Sequence, residues 1–134
     1  MKRATLLILL ISFWIMLTAM GKPPEGNIPT PETNFSATVI DDQDISTKCQ
    51  HVSWEGKTFL AGWRGKGIVT IPFEKVKRVV LIGNVRDGKK DSQVTLKNGE
   101  VVAVTFNAES RLYGMTSFGS YMITVRNLKE LIFE

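Results

Sequence analysis

The sequence predicts an all-β body, a small pseudo-symmetric antiparallel β-sandwich or barrel built from two repeated β-units behind an N-terminal signal helix. Three observations predict it. From Phe35 onward, short runs rich in β-branched and aromatic residues alternate with Gly, Asn and Asp turn signals. No window in that region sustains a helical period. The chain also repeats itself: "LAGWRGKGIVTIPFEKVKRVVLI" and "LYGMTSFGSYMITVRNLKELIFE" align at one fixed spacing. Leu60 meets Leu112, Gly62 meets Gly114, Gly67 meets Gly119, Ile71 meets Ile123, Lys77 meets Lys129 and Leu81 meets Phe133.

In chain order, residues 1–21 come first: Lys2 and Arg3, an apolar run from Leu6 to Leu17, then the small residues Ala19 and Gly21. That layout predicts a secretory signal peptide cut after Gly21, with an uncleaved anchor as the alternative. It sets the expected location as periplasmic or secreted, with membrane contact only through this segment if it stays attached. Residues 22–34 hold four of the five prolines, namely Pro23, Pro24, Pro29 and Pro31, and read as an extended tether. The β domain follows at 35–134, with the two repeat copies at about 52–82 and 94–134.

The expected strands are "FSATVI", "CQHVSW", "TFLAGW", "GIVTI", "KRVVLIGNV", "SQVTLK", "EVVAVTF", "SRLYGM", "SYMITV" and "KELIFE". Asn98-Gly99 predicts a hairpin with a type I′ turn, and "RDGKKD" predicts another turn. One short helical turn is expected between Ile71 and Val76, and another between Val125 and Leu128. Two half-units of this kind would each expose an apolar face and bury it against the other. "VVAVTF" reads as a flat strand edge open to strand addition.

The 134 residues carry a net charge of +4 and fit one domain. The charge is uneven. From Lys22 to Glu55 there are six acids and two bases; from Gly56 to Glu134 there are seven acids and thirteen bases. A basic body suits anionic surfaces. Cys49 has no second cysteine to pair with in the chain. It is either buried, as its alternating surroundings favour, or bonded to another chain.

Tests for chemistry mostly fail. "GWRGKG" at Gly62 to Gly67 looks like a phosphate cradle, but Lys66 is followed by Gly67 instead of Ser or Thr. Its glycines recur in "GMTSFG" without the basic residues, so Gly62, Gly67, Gly114 and Gly119 read as structural turn glycines. His51 is the one histidine, too little for a catalytic pair or, with Cys49, a zinc site. Asp41, Asp42 and Asp44 lack the pattern of an EF-hand loop. Glu55, Glu74, Glu100 and Glu109 show no sign of a facing carboxylate pair.

No enzyme, cofactor or metal is therefore expected. What remains is decoration peculiar to the first copy: Trp63, Arg64 and Lys66, with Trp54 nearby. Aromatic rings beside cations suit stacking plus charge. The sequence thus points to a non-catalytic binding or adaptor module of the cell envelope, taking a protein or an anionic glycan in preference to nucleic acid. The alternative is an assembly subunit that pairs through sheet edges or through Cys49.

Overall fold

The computed structural model of the protein describes residues 28–134. The expected signal peptide and the first part of the tether lie outside the described residues. The body is all-β, with antiparallel strands β1 (Ala37–Asp41), β2 (Ser46–Trp54), β3 (Phe59–Arg64), β4 (Gly67–Pro72), β5 (Val76–Arg86), β6 (Lys89–Leu96), β7 (Val101–Asn107), β8 (Arg111–Thr116), β9 (Gly119–Thr124) and β10 (Leu128–Phe133). Single 3-10 turns at Phe73–Lys75 and Val125–Asn127 sit where the sequence places its two short helical turns.

The ten strands form one sheet in the order β4-β3-β7-β6-β5-β10-β1-β2-β8-β9, curled into a half-barrel. The all-β antiparallel class is as expected. Of the sandwich and the barrel expected, the curl follows the barrel, left half-open; β1–β5 and β6–β10 do not stack as separate sheets. They join edge to edge through the ladder of β5 with β10, where Leu131 lies opposite Val79. The chain then crosses between halves at both sides, with β3 pairing β7 and β8 pairing β2. Burial explains the choice: a sheet that curls can enclose apolar side chains on its inner face while its backbone groups stay paired.

Alternation places the core. In β10, Leu128, Leu131 and Phe133 are buried; in β5 it is Val76, Val79 and Leu81. Phe73, from the first 3-10 turn, packs on Phe133 with ring centroids 4.8 Å apart and meets Phe35 edge-on at 5.6 Å. Trp54 and Phe106 pack at 4.7 Å. The strand order also has an internal regularity. Adding five to each of β1 to β5, and subtracting five from each of β6 to β10, returns the same order read from the opposite edge.

Several local expectations need correcting. "VVAVTF" is not an edge: β7 lies between β3 and β6, and the free edges are β4 and β9. The turn after β6 is not type I′. Gly99 has φ +92° but Asn98 is not at positive φ; its Oδ1 instead accepts the Glu100 N–H at 2.9 Å. In "RDGKKD" only Asp87 and Gly88 turn, and Lys89 already opens β6.

Residues 29–34, read as tether, lie against the body. Pro29 packs beside Gly56, the Pro31 carbonyl is 3.1 Å from His51 Nδ1, and Asn34 Oδ1 accepts the His51 N–H at 2.8 Å. His51 sits at φ +50° in a bulge of β2, which is why that strand can bend from β1 toward β8.

Candidate functional site

The residues singled out in sequence separate in space. Trp54 is buried at 2% exposure, its ring against Phe106, so it belongs to the core and cannot form part of a surface site. Trp63 points the other way. Leu60 and Gly62 face inward from β3, and alternation turns Trp63 to the outer face, where it is half-buried.

A row of side chains crosses that face. Ile68 of β4 is the register partner of Trp63, Trp63 of Thr105, Thr105 of Asp91, and Asp91 of Ile82. Register partners share a face, so the apolar Ile68, Trp63 and Ile82 flank a polar pair. The Thr105 hydroxyl donates to Asp91 Oδ1 at 2.9 Å, and Arg86 reaches Asp91 Oδ2 at 3.3 Å. Ile68 is 79% exposed.

One cation lies over the Trp63 ring, with two more nearby in the chain. Lys89 Nζ lies 4.6 Å from the ring centroid, a cation–π contact. Arg64, exposed at the end of β3, donates to the Ala103 carbonyl at 3.2 Å. Lys66 is exposed in the two-residue turn that joins β3 to β4. Trp63, Arg64, Ile82, Asp91, Gln93 and Thr105 line one shallow depression. Sequence reasoning missed Lys89, Arg86, Ile68 and Ile82, because only the β3–β7–β6–β5 ladder brings them beside Trp63. The period-two placement of Trp63 opposite Leu60 and Gly62 was the one signal that could have oriented the patch.

The other candidates are occupied structurally. Cys49 is 1% exposed beneath Gly114, and burial pushes its thiol up to about 11. A protonated, buried thiol does not form a bond to another chain without unfolding. The Asp41 carboxylate accepts the N–H groups of Gln43 and Ile45, both at 2.9 Å, and Asp44 pairs with Lys129. Glu55 Oε1 accepts the Arg111 N–H at 2.5 Å, while Glu109 pairs with Arg126. Among the described residues, no group of three His, Cys, Asp or Glu side chains could hold a metal ion.

Gly62 and Gly114 are not turn residues. They lie inside β3 and β8, where a neighbouring strand comes too close for a Cβ: one on Gly62 would meet the Thr105 carbonyl oxygen at 2.6 Å, and one on Gly114 would meet Cys49 Cβ at 2.7 Å. Gly67 and Gly119 are the first residues of β4 and β9, beside the hairpin tips, and Gly119 has φ +142°.

In comparisons with known proteins, residues 31–134 match a family model whose description is "Uncharacterised protein". No curated protein matches the chain, and no solved structure does.

Proposed function

The chain belongs to the family that this model describes, across the whole β body, and from the chemistry of its outer face we propose that it is an exported, non-catalytic binding module of the cell envelope. The partner is a protein or glycan carrying negative charge. One observation carries the reading: Trp63 lies on the outer face with Lys89 stacked on it and Arg64 alongside. An aromatic plane with a lysine over it and an arginine in the same depression attracts an anionic group by charge and holds its carbon framework by stacking. The apolar run of residues 1–21 supports export. Structural use of Cys49, His51 and the Asp41 turn supports a non-catalytic role.

The same proposal includes a duplicated body in which β1–β5 and β6–β10 are two copies of one unit. The fixed-spacing sequence match and the strand order that reads alike from both edges support it. Cores of the two copies then serve the fold, while the outer-face residues that differ between them serve recognition.

The test is in-cell cross-linking from a photoreactive residue at position 63, with mass spectrometry of the adducts. A single envelope partner is expected, and its retention on the purified protein falls as salt is raised and with Trp63→Ala. No adduct at position 63, or binding indifferent to salt, refutes the reading.

A further inference from the structure

We infer that the free edge of β4 is a self-association site, where two copies of this chain pair β4 with β4 antiparallel about a two-fold axis at Val69. Natural sheet edges are blunted by charges, internal proline or bulges. β4, "GIVTIP", has none of these: it has no charged residue, its one proline is the last residue, and its register with β3 is unbroken from Gly67 to Pro72.

The two-residue turn makes Arg64 and Gly67 the hydrogen-bonded pair of the hairpin. Alternation along the ladder then turns the N–H and C=O of Ile68 and Thr70 away from β3. Among the described residues nothing bonds to those groups. With Val69 at the axis, Ile68 of each copy faces Thr70 of the other, and the four outward N–H groups meet four outward carbonyls.

Side chains fit that register. On the inner face Val69 meets its own copy in a non-hydrogen-bonded pair, the closer of the two pair types, and extends a core on which Val69 already packs. On the outer face Ile68, 79% exposed, gains Thr70 of the second copy as neighbour. Lys66 falls opposite Pro72 of the second copy, near its Glu74, so opposite charges sit at both ends of the joint.

The edge of β9 is a poorer fit. The same construction there places Tyr121 against Tyr121 at the axis and brings Phe118 toward Arg126, with no opposite charges to match. A second copy is therefore the occupant that β4 suits. The inference rests on the outward backbone groups of β4 and not on the Trp63 ring, so loss of partner binding in Trp63→Ala leaves it standing.

The full chain carrying Val69→Cys, mildly oxidised in cells and run on a non-reducing gel, tests it. Antiparallel non-hydrogen-bonded partners have Cα atoms about 4.5 Å apart, within disulfide reach, while Cys49 is buried and gives a silent background. A disulfide dimer is expected, lost when Ile68→Lys or Thr70→Pro is added. Thr70→Pro removes only an outward N–H, so the hairpin ladder keeps its bonds. Tyr121→Cys is expected to stay monomeric.

Failure of Val69→Cys to cross-link, a cross-link unaffected by both edge variants, or one to a different protein overturns the inference. The unmodified chain gives an independent reading by sedimentation, with a concentration-dependent dimer that Ile68→Lys abolishes. A monomer at every concentration overturns it as well.

Discussion

Gly62→Ala tests why the glycine echo exists. The added Cβ meets the Thr105 carbonyl oxygen at 2.6 Å, Val104 Cγ1 at 2.8 Å and Phe106 Cδ1 at 2.9 Å. The first is backbone and Phe106 is fully buried, so none can swing aside. Overpacking of this kind costs about 1–3 kcal/mol. It is offset by about 0.4–1 kcal/mol because alanine loses less freedom on folding than glycine. A net loss of about 1–2 kcal/mol lowers the melting temperature by roughly 4–16 °C in a domain of this size.

Gly67→Ala is the control. Its Cβ would meet nothing nearer than the Arg64 carbonyl at 3.5 Å, and its φ is not in the positive range, so it is neutral or gains a few tenths of a kcal/mol. Thermal unfolding followed by tryptophan fluorescence reads both. Equal losses at positions 62 and 67 would mean that turn conformation, and not strand approach, selects these glycines. A neutral Gly62→Ala would mean that β3 and β7 are farther apart than described.

The two tryptophans should separate in the same assay. Trp54→Ala empties the core beside Phe106 and costs about 3–5 kcal/mol, whereas Trp63→Ala costs much less and weakens partner binding; comparable melting losses would contradict the inner and outer assignment. The Cys49 thiol, raised from an ordinary 9.0 to about 11, favours the folded state while protonated. Between those values the unfolded chain binds fewer protons than the folded one, so stability is fully present below pH 9 and is lost as pH rises through 11. Cys49→Ala should flatten that decline, as a pH series of urea midpoints would show. Asp41→Ala removes the acceptor for two N–H groups and should cost about 1 kcal/mol, with calcium leaving the melting temperature of either protein unchanged. A calcium-dependent rise would make the acidic turn a ligand site.

Element identity was readable because each strand carries its own pattern: β7 alternates Val102, Val104 and Phe106 with outward Ala103 and Thr105, and Asp87-Gly88 closes a turn without help from the rest of the fold. Partnership was not readable. "VVAVTF" looks like an edge because an interior antiparallel strand and an edge strand share one alternation, and only the crossing of β3 onto β7 decides between them. Trp54 and Trp63 were indistinguishable for a related reason. Both follow β-type alternation, but the bulge at His51 shifts the face of β2, so parity counted from Cys49 does not carry through to Trp54. The face around Trp63 depends on Lys89 and Asp91, which no local pattern associates with β3.

If the body is duplicated as proposed, the positions at which the two repeated stretches differ set its two ends apart. Matched residues such as Leu60 and Leu112, or Val79 and Leu131, are buried, where packing forces them to agree. Several unmatched pairs reach the surface: Trp63 against Met115, Arg64 against Thr116, Lys66 against Phe118, Ile68 against Ser120 and Glu74 against Arg126. The first end thereby carries an aromatic ring with a lysine over it and an edge with opposite charges at its two extremities. The second gains an uncharged tip led by Phe118, 79% exposed. Exchanging Lys66 and Phe118 between the tips would move charge without touching the core. If the first end is the recognition end, salt-sensitive binding is lost on the exchange while the melting temperature holds. If binding survives it, recognition rests on Trp63 and Lys89 alone.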